Sequence, residues 1–134
     1  MKRLHSIGVV LAVAMLACGF SHGQDSDSLP PTSQSTDVPY RIFHTKNIYN
    51  VLELDTRNGR IWQVQWGDSG DRGHTTLNLT SLLPSGATET TGRFTLYPTK
   101  NMWTFILLDQ SNGRTWQVQW GFKATDRFIV EIKE

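Results

Sequence analysis

Cysteine is nearly missing from this chain: Cys18 is the only one, and it lies in the apolar leader, so nothing beyond it carries a thiol. This excludes a disulfide scaffold, a thiolate nucleophile and a thiolate metal site, and leaves core packing to stabilise whatever folds. Charge of one sign is also lacking. The formal net charge is +1, and setting aside Lys2 and Arg3 of the leader leaves eleven cations against twelve acids. That balance predicts no electrostatic capture of nucleic acid or of an anionic membrane surface. Past the leader no apolar run approaches the roughly 20 residues a membrane helix needs, and no helix-length amphipathic period appears. Only His44 and His74 remain beyond the leader, neither at ligand spacing with another histidine, so no metal is expected. A Gly-x-Ser-x-Gly elbow, a phosphate loop and a His-Glu-x-x-His pair are all absent, which argues against the common hydrolase classes. No cofactor is expected.

What is present begins with an export signal. Lys2 and Arg3 precede an apolar run from Ile7 to Cys18, with small residues after it, and residues 1–23 read as a signal peptide. Two processing routes fit. Met15-Leu16-Ala17-Cys18 resembles the bacterial lipobox, in which Cys18 becomes the lipidated first residue. Ser21 and Gly23 suit ordinary cleavage before Gln24. Either route places the protein in the periplasm, on the outer membrane surface or outside the cell, with membrane contact only through a lipid on Cys18. Residues 24–39, rich in Ser, Asp, Pro and Thr, cannot bury enough surface to offset their ordering entropy and read as a flexible linker.

From Tyr40 onward the dominant feature is a duplication. TKNIYNVLELDTRNGRIWQVQWG (residues 45–67) lies over TKNMWTFILLDQSNGRTWQVQWG (residues 99–121) without a gap, with fourteen of twenty-three positions identical. Residues 40–134 therefore read as one domain of two pseudo-symmetric repeats, 40–79 and 93–132. In each copy Trp, Val and Trp alternate with two glutamines, the period of a half-buried strand. The run before it, Met102 to Leu108, is apolar at nearly every position and predicts a strand covered on both faces, while Asn50 and Glu53 in the first copy predict a partly exposed one. Asp55 to Gly59 and Asp109 to Gly113 predict hairpin turns, with aspartate accepting backbone N–H groups and glycine taking a positive φ. Further strands are expected at Tyr40–His44, Thr75–Leu79, Arg93–Tyr97 and Arg127–Ile132, and residues 80–92 as a polar connector. About eight short strands predict an all-β fold, a small antiparallel barrel or sandwich.

The stretch RFTLYPTKNMWTFILLDQSNGRTWQVQW resembles a motif of small exported proteins from gut-type bacteria, with Leu-Tyr-Pro-Thr, Asn-x-Trp-Thr-Phe, Leu-Asp, Gly and Trp-Gln-Val-Gln-Trp in order. The first copy departs from it at Phe43-His44 and at Tyr49. The resemblance implies export and a β-structured repeat and transfers no activity.

Candidate chemistry is sparse. Asp55 and Asp109 are the acids retained in both copies, so a paired-carboxylate hydrolase, with Glu53 nearby, is one reading; their place at turn entries favours a structural role. Asp71 and Asp126, each followed by an arginine, read as surface ion-pair partners. Trp62, Trp66, Trp116 and Trp120 are expected in the core, since each can remove about 150 to 250 Å² from water. Gln63, Gln65, Gln117 and Gln119 would then face outward, kept by recent duplication, by a cross-strand amide ladder or by a ligand. Lys46, Asn47, Lys100 and Asn101 belong at the same sheet end as Trp66-Gly67 and Trp120-Gly121, and that end is the expected binding edge. The function expected is a non-enzymatic exported module binding a protein or glycan. A carbohydrate-binding protein whose two blade-like repeats oligomerise into a propeller is the alternative, and a weak hydrolase the third.

Overall fold

The computed structural model describes residues 36–68 and 70–134. The leader with Cys18, and the linker as far as residue 35, lie outside the described residues. Four strands in chain order, β1 (Tyr40–His44), β2 (Asn50–Asp55), β3 (Ile61–Gln65) and β4 (Gly73–Asn78), form one antiparallel meander. Strands β5 (Phe94–Pro98), β6 (Thr104–Asp109), β7 (Thr115–Gln119) and β8 (Phe128–Ile132) form a second. Equivalent residues pair equivalently, Tyr40 with Asp55 and Phe94 with Asp109, Asn50 with Gln65 and Thr104 with Gln119. The fold is all-β, and the two sheets are open and packed together as a sandwich. Among the described residues the one helical segment is a 3-10 turn at Ala124–Asp126.

The β2–β3 and β6–β7 hairpins close as their turn residues require. Asp55 N–H donates to Arg60 O at 2.9 Å and Gly59 N–H to Asp55 O at 3.0 Å, with Gly59 at φ 80°. Asp109, Arg114 and Gly113 repeat this pattern. A four-residue loop with glycine last is a left-handed exit that a side chain rarely tolerates. β6 begins at Thr104, not at Met102, because Asn101 Oδ1 accepts the Trp103 N–H at 2.8 Å and holds the preceding residues in a turn. β4, by contrast, starts earlier than expected, at Gly73, and ends at Asn78. The connector is less polar in effect than its composition: Leu82 and Leu83 pack against the core, and Leu82 N–H donates to Asn58 O at 2.8 Å.

The two sheets meet through opposite faces of the same repeat. The first buries Phe43, Leu52, Leu54 and Ile61, together with Gln63. The second buries Phe94, Leu96, Phe105, Leu107, Trp116, Val118 and Trp120. Since Leu52 and Leu54 correspond in the duplication to Ile106 and Leu108, and Phe105 to Val51, each sheet hides what the other leaves out. The expectation of four core tryptophans therefore holds for Trp116 and Trp120 but not for Trp62 and Trp66. Trp62 is half-buried and Trp66 is 51 % exposed, on the outer face of the first sheet. β6 alternates buried and half-buried residues instead of being covered on both faces. Asn50, expected to be exposed, is buried and accepts from Gln63 Nε2 at 3.0 Å.

Candidate functional site

The repeated Thr-Lys-Asn letters build a turn. Thr45 Oγ1 donates to Asn50 O at 2.7 Å and accepts from Asn47 N–H at 3.1 Å, while Asn47 Oδ1 accepts from Tyr49 N–H and from Asn50 Nδ2. Thr99 and Asn101 make the matching bonds to Thr104 O and from Trp103 N–H. Each turn carries an aromatic residue back over the end of the Trp-Gln-Val-Gln-Trp strand. Trp66 N–H donates to Tyr49 O at 2.9 Å and Trp120 N–H to Trp103 O at 3.0 Å, so the aromatic pairs Tyr49–Trp66 and Trp103–Trp120 are set by backbone geometry.

A cleft opens beside each pair. The first, of about 330 Å³, is lined by Asn47, Tyr49, Gln65, Trp66, Asp68 and Asp71, with Phe122 reaching in from the second sheet. The other, of about 210 Å³, is lined by Trp103, Gln119, Trp120, Phe122 and Asp126. The clefts are repeat equivalents with different contents. In the second, Trp103, Trp120 and Phe122 pack mutually with ring centroids within 5.9 Å, and the Trp120 indole N–H donates to Met102 O at 3.0 Å. In the first, Asp68 stands where the second has Phe122, leaving the exposed edge-on rings of Tyr49 and Trp66 beside the Asp68 and Asp71 carboxylates. Aromatic faces with a few convergent polar groups are the usual lining of a small-molecule site.

The expected site residues divide. Asn47 and Gln65 line the first cleft and Gln119 the second, where Gln119 Nε2 donates to Asp126 O at 3.0 Å. Lys46 is drawn off to Lys100 O at 2.8 Å, and neither lysine lines a cleft; Asn101 serves its turn. Gln63 is consumed in the core, where its Oε1 accepts the Gly121 N–H across the two sheets at 3.2 Å. Gln117 is half-buried on the outer face of the second sheet. Asp71, expected as a surface ion-pair partner, instead lines the first cleft, and Tyr49, Asp68 and Phe122 were not expected there; the unlike pair Asp68 and Phe122 at matching positions is the signal that marks it. Arg127 does not act as a simple ion-pair partner for Asp126; it donates to the carbonyls of Gly121 and Phe122.

Asp55 and Asp109 are buried and saturated by hydrogen bonds. Asp55 accepts from Arg57 N–H, Nε and Nη2 and from Asn58 Nδ2, at 2.8 to 3.0 Å. Burial opposes its charge, but the Arg57 and Asn58 bonds outweigh burial and hold its carboxyl below the ordinary value. Asp109 is gripped by Arg93 Nε and Nη2 and accepts Ser111 N–H at 2.9 Å. Among the described residues no group of three or more His, Cys, Asp or Glu is placed to hold a metal ion. Comparison with family models, with curated proteins and with solved structures gives no match to this chain.

Proposed function

We propose that the protein is a non-catalytic, exported binding module of the bacterial cell envelope, and that it takes a saccharide in the cleft between Tyr49, Trp66, Asp68 and Asp71. The observation that carries this reading is the cleft lining itself: exposed aromatic rings set against two carboxylates and the Asn47 amide. A pyranose has apolar C–H faces for the rings and equatorial hydroxyls that donate to carboxylates, so both parts of the lining are used by one ligand. The leader supports export. The engagement of Asp55 and Asp109 by arginines, with their oxygens already accepting several bonds, favours binding over hydrolysis.

The test is a tryptophan fluorescence titration with neutral disaccharides and soluble peptidoglycan fragments. Saturable quenching by at least one sugar, weakened about tenfold or more by Tyr49→Ala, is the expected result. The absence of a saturable change with every sugar would overturn the reading, as would affinity indifferent to Tyr49 and Asp71. Sugar turnover abolished by Asp55→Asn in a folded protein would replace binding with catalysis.

A further inference from the structure

The two outer sheet faces are the same two surfaces that meet inside the sandwich. Within the chain, the Leu-and-Gln63 face of the first sheet packs on the Trp116-Val118-Trp120 face of the second. Left uncovered are the repeat equivalents. On the first sheet these are Ile42, Val51, Trp62, Val64 and Trp66, half-buried or exposed and counterparts of Leu96, Phe105, Trp116, Val118 and Trp120. On the second they are Tyr97, Ile106, Leu108 and Gln117, counterparts of Phe43, Leu52, Leu54 and Gln63, beside Val130 at 57 % exposure. Every second copy of this chain thus offers each outer face the partner that its counterpart already has indoors. The contacts joining like positions, Arg41 Nη1 to Thr95 Oγ1 and Lys46 Nζ to Lys100 O, indicate that one repeat follows the other in the same sense rather than mirroring it.

We infer that the chain assembles head to tail with further copies of itself, the outer face of the second sheet docking on the outer Trp62-Val64-Trp66 face of the first sheet of the next copy. This goes beyond the ligand reading, and the docking face meets the Tyr49 cleft at Trp66, which borders both. Gln117 then takes the role that Gln63 has inside the chain, its Oε1 accepting the N–H of Gly67 of the partner subunit as Gln63 accepts that of Gly121. This accounts for the second copy's glutamine, which the isolated chain leaves on an outer face. A heterologous contact closes a ring where its rotation divides the full turn, and rings of four-stranded antiparallel sheets typically hold about four to eight of them, which at two sheets per chain means about two to four copies.

The experiment is light scattering with size-exclusion chromatography on the protein exported and processed from the full chain. A single discrete species at two to four times the chain mass is expected. Val130→Arg, at an exposed site on the docking face of the second sheet, and Val64→Arg, on that of the first, should each give the single-chain mass with an unchanged circular dichroism spectrum. Mixed in equal amounts they should recover a species of twice the chain mass, because each retains the face the other has lost. Gln117→Ala should lower assembly affinity about tenfold without shifting the unfolding of the single-chain Val130→Arg form. A single-chain mass for the unaltered protein up to millimolar concentration overturns the proposal, as does a mass that grows continuously with concentration. So does an assembly that survives either arginine variant, the mark of a pairing between like faces. Sugar titration of the Val130→Arg variant, whose first sheet and Trp66 are unaltered, reads the Tyr49 cleft separately, so loss of one property is not mistaken for loss of the other.

Discussion

Asp55 concentrates at one residue the compromise that closes each hairpin. Its side chain is nearly inaccessible, which penalises the carboxylate, yet Arg57 and Asn58 bring enough donors to keep it ionised. Because its folded pKa lies below the value of about 3.9 expected in the unfolded chain, its stabilisation is present in full above that ordinary value. The contribution is lost as pH falls through the folded pKa. Urea unfolding followed from pH 7 down to pH 2 should show the midpoint falling below about pH 4. Asp55→Asn should lower stability at pH 7 by about 1 to 3 kcal/mol and flatten that acid limb. An acid limb as steep in the variant as in the parent would show that other carboxylates, such as Glu131 paired with Arg114, set it.

At the scale of the strand, five identical residues have two environments. In β7 and just past its end, Trp116 and Trp120 point into the core and Gln117 lies on the outer face; in β3, Gln63 points in and Trp62 lies on the outer face. Trp116→Ala should therefore cost about 3 to 5 kcal/mol in urea unfolding. Trp62→Ala, measured in the single-chain Val130→Arg background, should cost less than half as much; equal losses would contradict the opposed orientation of the sheets. The strands, the hairpins and the meeting of the Thr-Lys-Asn turns with the tryptophan ends were legible in the letters, because alternation and turn chemistry act locally. Which face of each sheet is buried was not, since a period of two marks two faces without saying which one meets the other sheet. The duplication invited the assumption of equal burial in both copies, and that is what misplaced Trp62 and Trp66. The aromatic cleft stayed hidden for a related reason: it is defined by Asp68, where the repeats differ, and by Phe122, which comes from the other sheet.

For the whole molecule, one apolar cluster spans both sheets, and neither has a second core of its own among the described residues. Unfolding should be a single cooperative transition, with circular dichroism and tryptophan fluorescence coincident. A fragment of residues 36–92 should remain unfolded, because Phe43, Leu52, Leu54 and Ile61 would face water; a dispersed amide spectrum from that fragment would count against a shared core. The sheets are further tied at Thr56. Its hydroxyl is within bonding distance of the carbonyls of Val38 and Pro39 and accepts the Gly92 N–H, its N–H donates to Pro39 O, and its carbonyl accepts the Phe94 N–H. Tension applied through the chain ahead of Val38 would thus be borne first at this knot, where the entering strand, the first hairpin and the start of the second sheet converge. The edge strand β1 begins to peel only after the knot yields, so a pull on the chain ahead of Val38 meets a point braced to both sheets.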